Sequence, residues 1–148
     1  MFVRIATHRD PEPLDLQAFV RLSEFCLERE DVPEQVELSL AVVEIAEMSD
    51  LNSGYRGKDG PTDVLSFGCD DPCPVAGDEP ITLGDVVIAP EVAERQAEEL
   101  GHTIEEELNL LLVHGILHLL GYEHDTDEGA AVMRAREETL LSAYEDIA

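Results

Sequence analysis

The sequence predicts an α+β single domain: one small mixed β-sheet of about four strands, backed by about five helices, with a central helix that carries histidines. Three observations predict it. Apolar residues alternate in some short stretches and recur at helical spacing in longer ones, and the two patterns are interleaved along the chain. No internal repeat or linker divides residues 1–148. That length suits one hydrophobic core rather than two.

The elements follow in order. Phe2 to Thr7 reads as a strand. Pro11 and Pro13 lead into a helix with Leu16, Phe19, Val20, Cys26 and Leu27 on one face, and Pro33 closes it. From Val36 to Val43, Val36, Leu38, Leu40 and Val42 alternate with Glu37, Ser39 and Ala41, which is strand periodicity. Glu44 to Leu51 forms a short helix, and both Asn52-Ser53-Gly54 and Gly57 to Pro61 are turn chemistry. Thr62 to Phe67 is a short strand, residues 68–80 an exposed acidic loop, and Leu83 to Ile88 the next strand. Pro90 suits the first turn of the following helix and Gly101 its stop. Thr103 with Glu106 makes a capping box for the helix that contains Leu108 to Leu120. A last helix, Asp127 to Asp146, presents Ala131, Met133, Ala135, Leu140, Leu141 and Tyr144, with Met133 in the core.

The chemistry is concentrated in His114-Gly-Ile-Leu-His118-Leu-Leu-Gly121-Tyr-Glu-His124. Spaced four apart in an apolar helix, His114 and His118 stack on one face. Gly121 is suited to the left-handed conformation that ends a helix, so the chain can turn back and bring His124 towards the pair. Three neutral imidazoles suit a transition metal, zinc first, at one ion per chain, and leave a coordination position for water or substrate. A lone histidine beside a core helix is ordinarily a hydrogen-bonded core residue. Here the cluster takes three of the chain's 5 histidines, which favours a metal. The spacing equals that of metzincin proteases, except that Gly115 stands where those carry their general base, a glutamate.

Composition narrows the class. Asp and Glu number 34 against 9 Lys and Arg, a net charge of −25 that repels nucleic-acid phosphates at long range. Between Arg29 and Arg95 the only cations are Arg56 and Lys58, in Tyr55-Arg-Gly-Lys58, a small positive island expected beside the metal. The segment Val64–Phe67 is expected to run past the metal helix, so that the Tyr55–Lys58 loop opens onto the metal cleft. The 3 cysteines argue against a disulfide framework: Cys26 reads as core, and Cys69 and Cys73 as inert thiols in a loop. The N-terminus has no signal-like apolar stretch and the longest apolar run is too short for a bilayer, so a soluble, cytoplasmic protein without a membrane partner is expected.

Two blocks of this sequence, Leu51-Asn-Ser-Gly-Tyr-Arg-Gly-Lys-Asp-Gly-Pro-Thr-Asp-Val-Leu-Ser-Phe67 and the histidine block, resemble the YbeY family of bacterial rRNA-maturation endoribonucleases. Leu83 to Ile88 and the Met133-Arg-Ala-Arg-Glu-Glu tail fit the same pattern, from Val36 to the C-terminus. Gly68 stands where the family often has proline, and Glu123 replaces the usual aspartate before the third histidine. The resemblance implies a single YbeY-like metal-dependent hydrolase domain: a single-strand-specific endoribonuclease acting in rRNA maturation, at the 16S rRNA 3′ end, and in ribosome quality control. It places the zinc ligands at His114, His118 and His124 and the functional arginine at Arg56. It implies as partners rRNA, a small-subunit ribosomal protein and an Era-type GTPase; the last two have no independent mark in the sequence.

Residue chemistry agrees with that reaction. Arginine's planar fork suits the equatorial oxygens of a phosphoryl transfer, the role expected of Arg56, with Lys58 as an auxiliary phosphate contact. Water activated by the metal and the RNA's own 2′-hydroxyl both remain as nucleophiles. Two rivals stand beside this reading. One is a metzincin-like metallopeptidase, in which Glu123 or Asp125 replaces the missing base. The other is a non-catalytic ribosome-assembly factor with a structural zinc.

Overall fold

In the computed structural model, which describes residues 2–7, 15–56, 64–68, 81–123 and 125–147, four strands form one sheet in the order β1-β2-β4-β3. Among these residues the chain runs β1 (Phe2–Thr7), α1 (Leu16–Arg29), β2 (Val36–Val42), α2 (Ile45–Arg56), β3 (Val64–Gly68), β4 (Ile81–Ile88), α3 (Pro90–Leu100), α4 (Ile104–Leu119) and α5 (Asp127–Ile147). β1 pairs with β2 and β2 with β4 in parallel; β3 joins β4 antiparallel, so the sheet is mixed, as expected. Pro11, Pro13, Lys58, Cys69, Cys73 and His124 lie outside the described residues, and Arg56 is described by its backbone alone.

The alternation read in β2 is the reason the sheet has a core face. Val36, Leu38, Leu40 and Val42 are all buried there, beside Val86 and Ile88 of β4. Phe19, Leu22, Cys26 and Leu27 of α1, Leu112 and Ile116 of α4, and Met133 and Leu140 of α5 belong to the same cluster. On the opposite face a smaller cluster joins Leu65 and Val87 to Val43, Met48 and Ala89.

Two expectations are corrected. α2 does not stop at Leu51: it runs through Asn52, Ser53 and Gly54 to Arg56. Asn52 is buried one helical turn after the fully buried Met48, on the same face, and the turn preference of these residues is too weak to end the helix there. On α5, Ala131 and Ala135 are exposed; its buried residues are Met133, Glu137 and Leu140, a seam with a carboxylate in it.

Cys26 is fully buried, as expected, and burial, reinforced by Glu30, pushes its thiol up from 9.0 to about 12. The unfolded chain ionises first as pH rises, so this contribution to stability is complete below pH 9.0 and is lost towards about pH 12. Native protein at neutral pH should therefore leave Cys26 unmodified by iodoacetamide while denatured protein reacts, as peptide mass spectrometry would report. Native labelling at the denatured rate would contradict this placement.

Candidate metal centre

Helix α4 is defined at both ends by local chemistry. Thr103 Oγ1 accepts from the Glu106 amide at 3.1 Å, and the Glu106 carboxylate accepts from the Thr103 amide at 3.2 Å. The Thr103 amide, and then the Thr103 hydroxyl, both donating to the carboxylate, hold the Glu106 carboxyl below its usual range. At the other end Gly121, at φ 102°, donates to His118 O while Tyr122 donates to Leu117 O, both at 3.1 Å. This paired arrangement is the Schellman stop, and it turns the chain at Gly121.

The face of α4 opposite the solvent is set by Gly115. Ser66 Oγ on β3 donates to Gly115 O at 3.2 Å, so β3 does run past this helix. A Cβ at Gly115 would lie 2.8 Å from Val86 Cγ1 and 3.2 Å from Ser66 Oγ. Val86 is fully buried and its β-branched side chain has little freedom to yield. The glutamate that metzincins carry here has no space, and Gly115 is needed for helix–sheet contact. Gly115→Ala should cost about 1–3 kcal/mol by overpacking, and Gly115→Glu more, through an added buried charge; chemical denaturation would measure both. A Gly115→Glu chain of unchanged stability would refute this.

His114 and His118 rise from the same helix four residues apart. His118 is exposed and His114 half-buried. His114 Nδ1 lies 2.6 Å from Glu137 Oε1 on α5, and Glu137 is only 7% exposed. A neutral imidazole that donates to this carboxylate from Nδ1 carries its lone pair at Nε2. That tautomer fits a histidine that binds a metal through Nε2, with a carboxylate behind it. Among the described residues no group of three His, Cys, Asp or Glu could by itself hold an ion. The third expected donor, His124, is outside them.

The turn leading to His124 is tied to Glu30, the residue that ends α1, and α5 grips the same carboxylate. Tyr122 OH donates to Glu30 Oε2 at 3.0 Å, and the neighbour of Glu137, Arg136, donates to Glu30 Oε1 and, at 3.3 Å, to Arg29 O. The Glu30 carboxylate raises the Arg136 guanidinium pKa, while burial, then Glu30, raises that of the Tyr122 phenol.

A sequence model of the endoribonuclease YbeY family matches residues 6–145. The chain belongs to the YbeY family. Among its relatives, the endoribonuclease YbeY of Pelotomaculum thermopropionicum is 48% identical over 82% of this chain and 80% of its own. That of Salinispora tropica is 40% identical over 97% and 96%. The solution structure of TM1509 from Thermotoga maritima shares the fold, with TM-score 0.63 at 27% identity over 97% of this chain and 92% of that one.

Of the YbeY-type site residues read from the sequence, the structure brings His114 and His118 together on α4. It carries Arg56 at the last described residue of α2 rather than in a turn. Lys58 and His124 fall outside the described residues. Glu137 was missed. Its signal was there: it shares the helical spacing of Met133 and Leu140, where an apolar residue would be expected.

Proposed function

We propose that this chain is a metal-dependent endoribonuclease that cuts single-stranded rRNA during maturation, at the 16S rRNA 3′ end, and in ribosome quality control. Family membership carries the reaction class. The His114–Glu137 pair supports the metal. His114, His118 and His124 would hold one zinc ion, which when bound supplies a Lewis acid for the phosphodiester and a means of activating water near neutral pH.

The chain's own residues supply the rest. Arg56 would pair with the equatorial oxygens of the phosphoryl group and stabilise charge as it develops there. Lys58 would hold a neighbouring phosphate and fix the strand's register. With a net charge of −25, binding rests on these few local cations, so rising salt should weaken it only shallowly. A cytoplasmic location, a small-subunit ribosomal protein and an Era-type GTPase complete the proposal. No helix among the described residues is long and apolar enough to cross a membrane.

The test is cleavage of a single-stranded rRNA fragment by zinc-loaded protein and by its His114→Ala form, with duplex RNA and casein as controls. Zinc-dependent cutting of the single strand alone is expected. Equal activity of the two proteins would remove the metal from the reaction, and casein hydrolysis would favour the peptidase reading despite Gly115.

A further inference from the structure

Two buried carboxylates on these helices meet a histidine. Glu107, at 3% exposure, faces His102 at the start of α4, five residues away in the same segment. Glu137 instead reaches from α5 across to His114, 23 positions earlier in the chain. It does so from between Met133 and Leu140, each 1% exposed. A leucine in that seam would add apolar burial; a carboxylate there costs desolvation and is tolerated only when hydrogen-bonded. The imidazole that receives it also has a second imidazole one helical turn further on.

We propose that Glu137 is the positioning residue of the metal site, setting the tautomer and ring orientation of His114. This rests on the reading of His114 as a metal ligand. With Glu137 in place, Nδ1 is held 2.6 Å from the carboxylate oxygen and the ring cannot turn without breaking that hydrogen bond. Without it, the imidazole samples other rotamers and the Nε2–H tautomer, which places a proton where the metal needs a lone pair. Because Arg136 grips Glu30, and Glu30 accepts from Tyr122, adjacent residues of α5 register both His114 and the turn that precedes His124.

The experiment measures zinc affinity by competition with a chromophoric chelator for wild type, Glu137→Ala, Glu137→Gln and His114→Ala. Two-bond ¹H–¹⁵N spectra of the metal-free proteins report the His114 tautomer. Glu137→Ala is expected to bind zinc about 10- to 100-fold more weakly, the usual effect of removing such a partner, and to shift His114 away from the Nδ1–H form. Glu137→Gln keeps the shape and an acceptor but not the charge, so its affinity should fall between the two. Should Glu137→Ala fail to fold, the near-isosteric Glu137→Gln carries the test by its zinc affinity, and a value within about twofold of wild type would overturn the role. A folded Glu137→Ala binding zinc within about twofold of wild type, with the tautomer unchanged, overturns the role given to Glu137. His114→Ala retaining wild-type affinity would instead refute the ligand reading itself, independently of any Glu137 variant.

Discussion

Replacing His118 with alanine should leave a folded chain that no longer retains zinc. The side chain is exposed on α4, so the core loses nothing, and the metal-free variant should match metal-free wild type to within about 0.5 kcal/mol. The metal term is much larger. Structural zinc binds with an apparent free energy of about 10–16 kcal/mol shared among its ligands, so losing one of three imidazoles should weaken binding by on the order of 10³-fold or more. Elemental analysis after dialysis against a mild chelator would show it. Added zinc should raise the melting temperature of wild type and leave the variant unmoved, because only the native state of wild type presents the full set. RNA cleavage should fall to background with the metal. A variant that keeps one zinc per chain at unchanged affinity would break the ligand assignment.

Arg56 is expected to behave in the opposite way, with activity lost and metal kept. Arg56→Ala should lower the cleavage rate by about 10² to 10³, the scale of removing one donor that acts on transition-state charge. Lysine at this position should recover only part, since a point charge cannot make the bidentate contact. The position of Arg56 on the last described turn of α2 adds a small stability effect, because a cation there favours the helix dipole. Arg56→Ala should therefore change stability by no more than about 1 kcal/mol, and Arg56→Lys less. Single-turnover cleavage by zinc-saturated protein, with denaturant melts alongside, separates these effects. An Arg56→Ala enzyme of full activity would leave the arginine with no part in the reaction.

What the sequence determined by itself was what neighbours along the chain can settle. The alternation of Val36 to Val42 depends on i,i+2 relations. The capping box of Thr103 and Glu106 and the turn at Gly121 depend on contacts three to five residues long, and each stands in the structure as read. The shared face of His114 and His118 is helix geometry, so the main part of the metal proposal was legible before any fold was known.

Tertiary structure decided what depends on distant partners. α2 continues past Leu51 to Arg56 and places Asn52 on the buried face with Met48, which no turn preference reveals. Gly115 reads as a gap in a protease motif until Val86 and Ser66 come up against it, and only then is the glycine a packing requirement. Glu137 looked like one more charge on an acidic helix, and Ala131 and Ala135 looked like its core face. α5 instead turns Met133, Glu137 and Leu140 inward, where α4 presents an imidazole opposite residue 137. The links from His114 to Glu137, Tyr122 to Glu30 and Arg136 to Glu30 span 23, 92 and 106 residues. At such separations the sequence lists donors and acceptors, and only packing of the helices on the sheet selects which of them meet.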